Sequence, residues 1–264
     1  MGPCLCFLNP WQAVLRTTLS NLYRAEHRPL LTLRRIYLKN ENIAALLPVY
    51  TETVAIENVE VWFIHGANAT PISFNYLKDG LARIPELNNY IFRDIVYDCQ
   101  EDLLAILKVM VKKAPKGVPL YLIGHSLGGV LATAMTKVIQ ENDTGIDLRG
   151  VATLASPIGG SDSANFLKWI YPKYNLFRNI STSNGVIKGI KAFAPKVPFV
   201  VVVTSSGNNP MFPTANDGVV TVLSQKELLE VTYVEMESNH FEVLVNPDTV
   251  DILKSLLLYI PEKK

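Results

Sequence analysis

A serine lies within a run of small residues, Gly124-His125-Ser126-Leu127-Gly128-Gly129. The apolar stretch Pro119–Ile123 precedes this run and a helical pattern follows it, so G-x-S-x-G occurs between a predicted strand and a predicted helix. A sharp turn at this point strains the serine backbone and requires neighbours without side chains, which Gly124 and Gly128 supply. The start of the following helix favours negative charge near the serine hydroxyl. Ser126 is therefore the candidate nucleophile.

This run resembles a known family. Gly-His-Ser-Leu-Gly-Gly is a frequent form of the nucleophile turn in the α/β-hydrolase superfamily, in its lipase and esterase branch, and the resemblance covers roughly residues 55–260. It implies a lipase, phospholipase or carboxylesterase that cleaves an apolar acyl ester through an acyl-enzyme on Ser126. The alternatives are a thioesterase, amidase or acyltransferase with the same residues, or a hydrolase-like protein that binds without catalysis.

A second glycine-containing loop follows the apolar stretch Val61–Ile64 and begins His65-Gly66-Ala67. It is similar to the family loop that supplies one backbone N–H group to the oxyanion hole, the other coming from the residue after the nucleophile. By position, these donors are the N–H groups of Ala67 and Leu127. Backbone donors suit this role because they are fixed before the reaction begins, and Gly66 lets the loop approach closely.

A serine nucleophile needs a general base, and the chain contains four histidines. The family places nucleophile, acid and base in that order along the chain, and only His240 follows Ser126. It comes directly after the apolar stretch Val231–Met236, which is the family's position for the base. We expect His65 to support the oxyanion loop and His125 to support the turn.

Two aspartates are candidates for the acid that orients the base. Asp217 precedes Gly218-Val219-Val220 and follows the apolar stretch Phe199–Thr204, a pattern that resembles the acid position of lipases. Asp162 is the alternative, because some relatives place the acid after the preceding strand.

This chemistry requires no metal ion and no organic cofactor. The three cysteines, Cys4, Cys6 and Cys99, lack the spacing of metal ligands and cannot form a disulfide framework. A net charge of +1 and a pI near 7.7 provide no general attraction to nucleic acid. The expected partner is a small-molecule or lipid ester, and no feature of the sequence indicates an oligomeric state.

Apolar strands alternate with helices from about residue 50 onward, which predicts an α/β fold with a mainly parallel sheet and helices on both faces. Ligands of such sheets bind at the carboxyl ends of the strands, where the candidate residues lie. The predicted strands are Thr51–Ile56, Val59–Ile64, Tyr90–Val96, Pro119–Ile123, Gly150–Leu154, Phe199–Thr204 and Val231–Met236, and the predicted helices Glu101–Lys113, Val130–Gln140 and Val250–Leu258.

The chain divides into a basic helical extension, residues 1–50, and a hydrolase domain, residues 51–264. Within that domain, residues 158–197 lack strand signals and are rich in aromatic side chains. They predict either a small cap or lid over the site or an ordinary crossover packed on the sheet.

Charge is distributed unevenly along the chain, since residues 1–40 carry +5 and the remainder −4. A helical pattern that begins at Pro10 and ends before Pro29 is followed by a second short basic segment, Leu30–Asn40. Residues 10–40 are predicted either to make peripheral contact with an anionic membrane or to pack on the hydrolase core. No apolar run is long enough to span a bilayer and no signal peptide is apparent, so the expected location is cytoplasmic.

Overall fold

The computed structural model describes residues 58–259, apart from residues 171, 172, 211 and 213. The predicted extension, including its segment 10–40, and the predicted strand Thr51–Ile56 lie outside the described residues, as do Cys4 and Cys6. None of the described helices is long and apolar enough to cross a membrane.

Six strands form one sheet in the described part of the chain. They are β1 (Val59–Ile64), β2 (Tyr90–Ile95), β3 (Pro119–His125), β4 (Asp147–Leu154), β5 (Phe199–Thr204) and β6 (Thr232–Met236). Their order is β2-β1-β3-β4-β5-β6, and every neighbouring pair is parallel. The predicted parallel sheet is confirmed. Strand β3, which leads into Ser126, lies inside the sheet, with two strands on one side and three on the other.

Helices cover both faces of the sheet. They are α1 (Asn75–Ala82), α2 (Leu103–Lys113), α3 (Leu127–Glu141), α4 (Asp162–Ile170), α5 (Asn175–Asn179), α6 (Gly185–Ile190), α7 (Val222–Gln225) and α8 (Pro247–Leu257). One apolar core lies between the sheet and α2, α3 and α6, and the other between the sheet and α1 and α8.

Strand β1 shows why both faces need a cover. Val61 and Phe63 point into the core beneath α1 and α8, whereas Trp62 and Ile64 point into the core beneath α2 and α3, and all four are buried. A strand with apolar side chains on both faces is stable only between two helical layers.

Strand β3 is longer than its predicted form. It continues to His125 because its last residues pair with β4, ending on the pair His125 and Leu154. The backbone N–H of Ser126 then donates to the carbonyl oxygen of Leu154, at 2.9 Å. The sheet therefore fixes the position at which the chain turns into α3.

Residues 158–197 contain α4, α5 and α6. Ile187 and Ile190 of α6 are buried in the core beside α3, whereas Trp169 of α4 is 79% exposed. The last part of this segment packs on the sheet layer, and its first part presents large apolar side chains to solvent.

Candidate active site

The turn between β3 and α3 holds Ser126 in a backbone conformation that side chains rarely adopt, with φ 53° and ψ −121°. A Cβ atom on Gly124 would lie 2.4 Å from the carbonyl oxygen of Gly128, and one on Gly128 would lie 1.9 Å from that of Ile64. Both distances are far shorter than any real contact, so the turn depends on these two glycines. Strain concentrated at a single serine is typical of a functional position.

The loops after β5 and β6 bring Asp217 and His240 together. His240 Nδ1 lies 2.9 Å from Asp217 Oδ2, and the His240 backbone N–H donates to the Asp217 carbonyl oxygen at 3.0 Å. Both side chains are buried, with residue exposures of 1% for Asp217 and 3% for His240. Because the carboxylate accepts a hydrogen bond from Nδ1–H, the free lone pair of a neutral His240 is on Nε2.

The Asp217 carboxylate accepts three further hydrogen bonds. Thr204 Oγ1 donates to Oδ2 at 2.7 Å, and the N–H groups of Val219 and Val220 donate to Oδ1 at 2.9 and 2.7 Å. Burial by itself would raise the pKa of Asp217, but the hydrogen bond and charge of His240 lower it, as do the bonds from Thr204 and Val220. The net result is a pKa below the usual value, so the carboxylate is ionised at neutral pH.

Asp162, the alternative acid, has a different environment. It is exposed at the start of α4, where Thr182 Oγ1 and Asn165 Nδ2 donate to its Oδ1 atom at 3.2 and 3.4 Å. The described residues show no hydrogen bond between Asp162 and any histidine, and the geometry favours Asp217 as the partner of His240.

His125, the residue before Ser126, is completely enclosed and lies against His240. Its Nε2–H donates to the carbonyl oxygen of His240 at 2.8 Å, and the two ring centroids are 4.8 Å apart. Burial, reinforced by the neighbouring His240, lowers the pKa of His125 to about 3. His125 is therefore neutral, and it connects the turn that carries the serine to the loop that carries the histidine.

The loop after β1 lies directly against the turn. A Cβ atom on Gly66 would come within 3.0 Å of both Ser126 Cβ and His125 Nδ1. In the described part of the chain, the backbone N–H groups of Ala67 and Leu127 have no protein acceptor, and Leu127 is the first residue of α3, whose initial N–H groups have no partner within the helix. This arrangement can supply two donors to a developing oxyanion.

His65 fixes this loop from the other side. Its ring stacks on Tyr97 with centroids 4.5 Å apart, its Nδ1–H donates to the carbonyl oxygen of Gly66, and Tyr97 Oη donates to the carbonyl oxygen of His65 at 2.6 Å. Sequence reasoning did not find Tyr97 or Thr204. Tyr97 lies in the loop that follows β2, and Thr204 is the last residue of β5. Their positions at the carboxyl ends of strands are the only sequence feature that could have indicated a role at the site.

Ser126 Oγ and His240 Nε2 form no hydrogen bond with any described residue. Both atoms are therefore available to each other or to a substrate, and in unliganded sites catalytic hydrogen bonds are often long and tighten only when substrate is bound.

Comparisons with known proteins give a family match and a shared fold. The family model for lipase (class 3) matches residues 64–186, which include the Gly66 loop and the Ser126 turn and are a little under half of the chain. A search of the curated proteins gives no match.

The solved structures that share the fold include an esterase and a lipase. A metagenomic carboxyl esterase, MGS0156, aligns with a TM-score of 0.58 at 14% identity, over 80% of this chain and 77% of that chain. The mature lipase BlEst2 from Bacillus licheniformis aligns with a TM-score of 0.55 at 18% identity, over 81% of this chain and 96% of that chain.

The chain has the α/β-hydrolase fold, and its residues 64–186 match the lipase (class 3) family. It is a serine ester hydrolase, and its substrate is a small-molecule or lipid ester. Among the described residues of this hydrolase, no group of three or more His, Cys, Asp or Glu side chains is arranged to hold a metal ion.

Proposed function

We propose that this hydrolase cleaves esters of apolar acyl chains through an acyl-enzyme on Ser126, with His240 as general base and Asp217 as the acid that orients it. The single observation that carries the proposal is the buried 2.9 Å contact between His240 Nδ1 and Asp217 Oδ2, beside a strained serine turn. No other described carboxylate forms a hydrogen bond with a histidine.

The reaction follows from the tautomer that Asp217 selects. Nε2 of His240 accepts the Ser126 hydroxyl proton while Oγ attacks the carbonyl carbon of the ester, and Asp217 stabilises the resulting imidazolium. The imidazolium then protonates the leaving alkoxide, and the alcohol departs. Water attacks the acyl-enzyme in the second half, with Nε2 again accepting the proton. The imidazolium then returns this proton to Ser126 Oγ as the bond between Oγ and the acyl carbon breaks, and the carboxylic acid is released.

Negative charge develops on the carbonyl oxygen in both halves. We assign its stabilisation to the N–H groups of Ala67 and Leu127, because Gly66 and Leu127 both adjoin Ser126. Donors held by β1 and α3 need no rearrangement as the charge develops, which is the source of their effect on the barrier.

Exposed apolar side chains in the segments that follow β1 and β4 support the proposal of an apolar acyl group. Ile72 follows β1, and Trp169 and Tyr174 follow β4; their exposures are 73%, 79% and 52%. On this view residues 158–197 form a cap beside the site. Contact of residues 10–40 with an anionic membrane is a separate proposal, based on the charge of that segment.

The proposal is tested with p-nitrophenyl esters of increasing acyl length, on the wild type and on Ser126→Ala. We expect hydrolysis by the wild type to rise with acyl length and Ser126→Ala to retain only background activity. Equal rates in the two proteins would refute the proposal. An added alcohol acceptor distinguishes the acyltransferase alternative, because a new ester would then form at the expense of the free acid.

A further inference from the structure

Residues 163–216 contain no aspartate or glutamate, although the chain as a whole has nearly equal numbers of acidic and basic residues. The same stretch carries six cations: Lys168, Lys173, Arg178, Lys188, Lys191 and Lys196. It begins after Asp162, the first residue of α4, and includes the rest of α4, α5, α6 and β5. Beyond Asp162, the segment that follows β4 therefore carries charge of one sign only.

Most of these cations lie at the surface. Lys173, Arg178, Lys188 and Lys196 are exposed, and none of these four forms an ion pair with a described residue. Lys168 is different, because its Nζ atom donates to Ser181 Oγ and Ser183 Oγ at 3.2 and 2.6 Å. The exposed cations are thus available to an external anion.

Large apolar side chains accompany the charge. Trp169 and Ile170 end α4 with exposures of 79% and 49%, and Tyr174, just before α5, is 52% exposed. Tryptophan and tyrosine beside lysine and arginine are typical of surfaces at the boundary between water and lipid headgroups. An acidic protein would complement the charge but would not require so exposed an apolar group.

This surface is held at the edge of the sheet that carries the candidate site. Asn179 Nδ2 donates to the carbonyl oxygen of Glu101 at 2.8 Å, and Asn179 Oδ1 accepts from the N–H of Leu103 at 3.2 Å. That attaches α5 to the loop after β2, whose Tyr97 bonds to the loop of Gly66. Val96, in the same loop after β2, is also exposed, by 73%.

We propose that the surface formed by Trp169, Ile170, Lys173, Tyr174 and Arg178 docks on an anionic lipid bilayer. Lysine and arginine bind the negative headgroups, while the apolar side chains enter the headgroup region. One consequence of docking rests on the proposed function: the docked protein presents its site to esters held in the bilayer. Docking itself needs no catalysis.

The first test measures binding of the full chain carrying Ser126→Ala, so that vesicles stay intact, to phosphatidylcholine vesicles with and without phosphatidylserine. We expect binding to require phosphatidylserine. The double variant Lys173→Ser/Arg178→Ser should lower the partition coefficient about 30-fold, the effect of two cations near an anionic surface. Lys112→Ser/Lys113→Ser, with the same charge change on exposed residues at the far end of α2, should leave it unchanged. Equal effects of the two double variants, or equal binding to both vesicles, would overturn the proposal.

A second measurement identifies the docking side chain. Trp62 is buried, so brominated lipids can quench only Trp11 or Trp169 in the bound protein. We expect quenching to fall in Trp169→Phe, which preserves an aromatic anchor, and to persist in Trp11→Phe. The reverse result would assign the contact to the N-terminal segment and refute this surface. Hydrolysis of p-nitrophenyl acetate by Lys173→Ser/Arg178→Ser with Ser126 intact should equal that of the wild type. If Ser126→Ala is as active as the wild type, the proposed function fails while the docking result stands.

Discussion

His125 Nε2–H donates a hydrogen bond of 2.8 Å to the backbone carbonyl oxygen of His240, a residue 115 positions later in the chain. The other ring nitrogen, Nδ1, is buried and has no hydrogen-bond partner among the described residues. Protonation of Nδ1 would place an unpaired charge in this enclosed space, next to a His240 that becomes positive in the proposed reaction. The turn therefore contains a histidine that the fold keeps neutral.

This relationship predicts how stability depends on pH. The pKa of His125 is about 3 in the folded protein against an ordinary value of 6.5, so between these pH values the unfolded chain binds a proton that the folded chain does not. The free energy of unfolding then falls as pH falls, by about 1.4 kcal/mol per pH unit from this residue. In His125→Gln, whose amide can still donate to His240, that part of the slope should disappear. Urea unfolding over this pH range measures it, and identical slopes in the two proteins would be incompatible with a neutral His125.

The choice between the two candidate acids gives a prediction on rate. Asp217→Asn removes the carboxylate that selects the His240 tautomer, and kcat should fall about 10⁴-fold, as when the aspartate of a serine–histidine–aspartate triad is replaced by asparagine. Asp162→Asn, the matched change at the alternative position, should leave kcat unchanged, because among the described side chains Asp162 forms hydrogen bonds only with Thr182 and Asn165. Steady-state kinetics on a p-nitrophenyl ester decide the matter; a greater loss in Asp162→Asn would reverse the assignment.

Two buried threonines provide a matched pair for the hydrogen bond to Asp217. Thr204 Oγ1 donates to the carboxylate, whereas Thr153 Oγ1 is buried without a partner in the described part of the chain. Thr204→Val should lower the free energy of unfolding at pH 7 by about 1.5–3 kcal/mol, and Thr153→Val should leave it equal or raise it.

The Thr204 effect should also depend on pH. The pKa of Asp217 is lowered from 3.8, so stabilisation through its ionised form is complete above the unfolded value and is lost as pH falls through the lower folded value. The difference between wild type and Thr204→Val should therefore shrink in acid. A difference that is constant with pH would mean that Thr204 acts through packing alone.

The turn should tolerate no side chain at Gly128, where a Cβ atom would lie 1.9 Å from the backbone oxygen of Ile64. Because backbone cannot yield as a side chain can, Gly128→Ala should cost about 3 kcal/mol or more of unfolding free energy. Gly185→Ala is the control, since nothing lies within 4 Å of its Cβ position. Comparable thermal stability of the two variants would show that the turn is less closely packed than described.

The sequence predicts best the elements whose identity depends on local pattern. Strands β1 and β5 begin and end where predicted, because Val59–Ile64 and Phe199–Thr204 are rich in β-branched and aromatic residues and are largely buried on both faces. Helix α1 was not predicted, since it contains Gly80, a poor helix former. The structure gives the reason for that glycine: a Cβ atom there would lie 2.9 Å from Val250 Cγ2 of α8, so it permits close packing that no local pattern reveals.

The candidate site divides in the same way. Ser126 and the glycines beside it can be predicted because the turn is a local feature of the sequence. Asp217 and His240 can be predicted from the order of the corresponding residues in the family. The catalytic roles of all three residues stay predictions. The support from Thr204, the stacking of Tyr97 on His65 and the bond from His125 to His240 depend on contacts between distant segments. Sequence spacing carries no signal for such contacts.

The central claim is that Ser126 forms the acyl-enzyme. The most direct measurement treats the full chain with a fluorophosphonate and follows ester hydrolysis and intact mass together, with peptide mapping of the product. We predict one adduct per chain, on the peptide that contains Ser126, with activity lost in proportion to labelling and no labelling of Ser126→Ala. Loss of activity while Ser126 remains unmodified, or wild-type hydrolysis by Ser126→Ala, would contradict the claim.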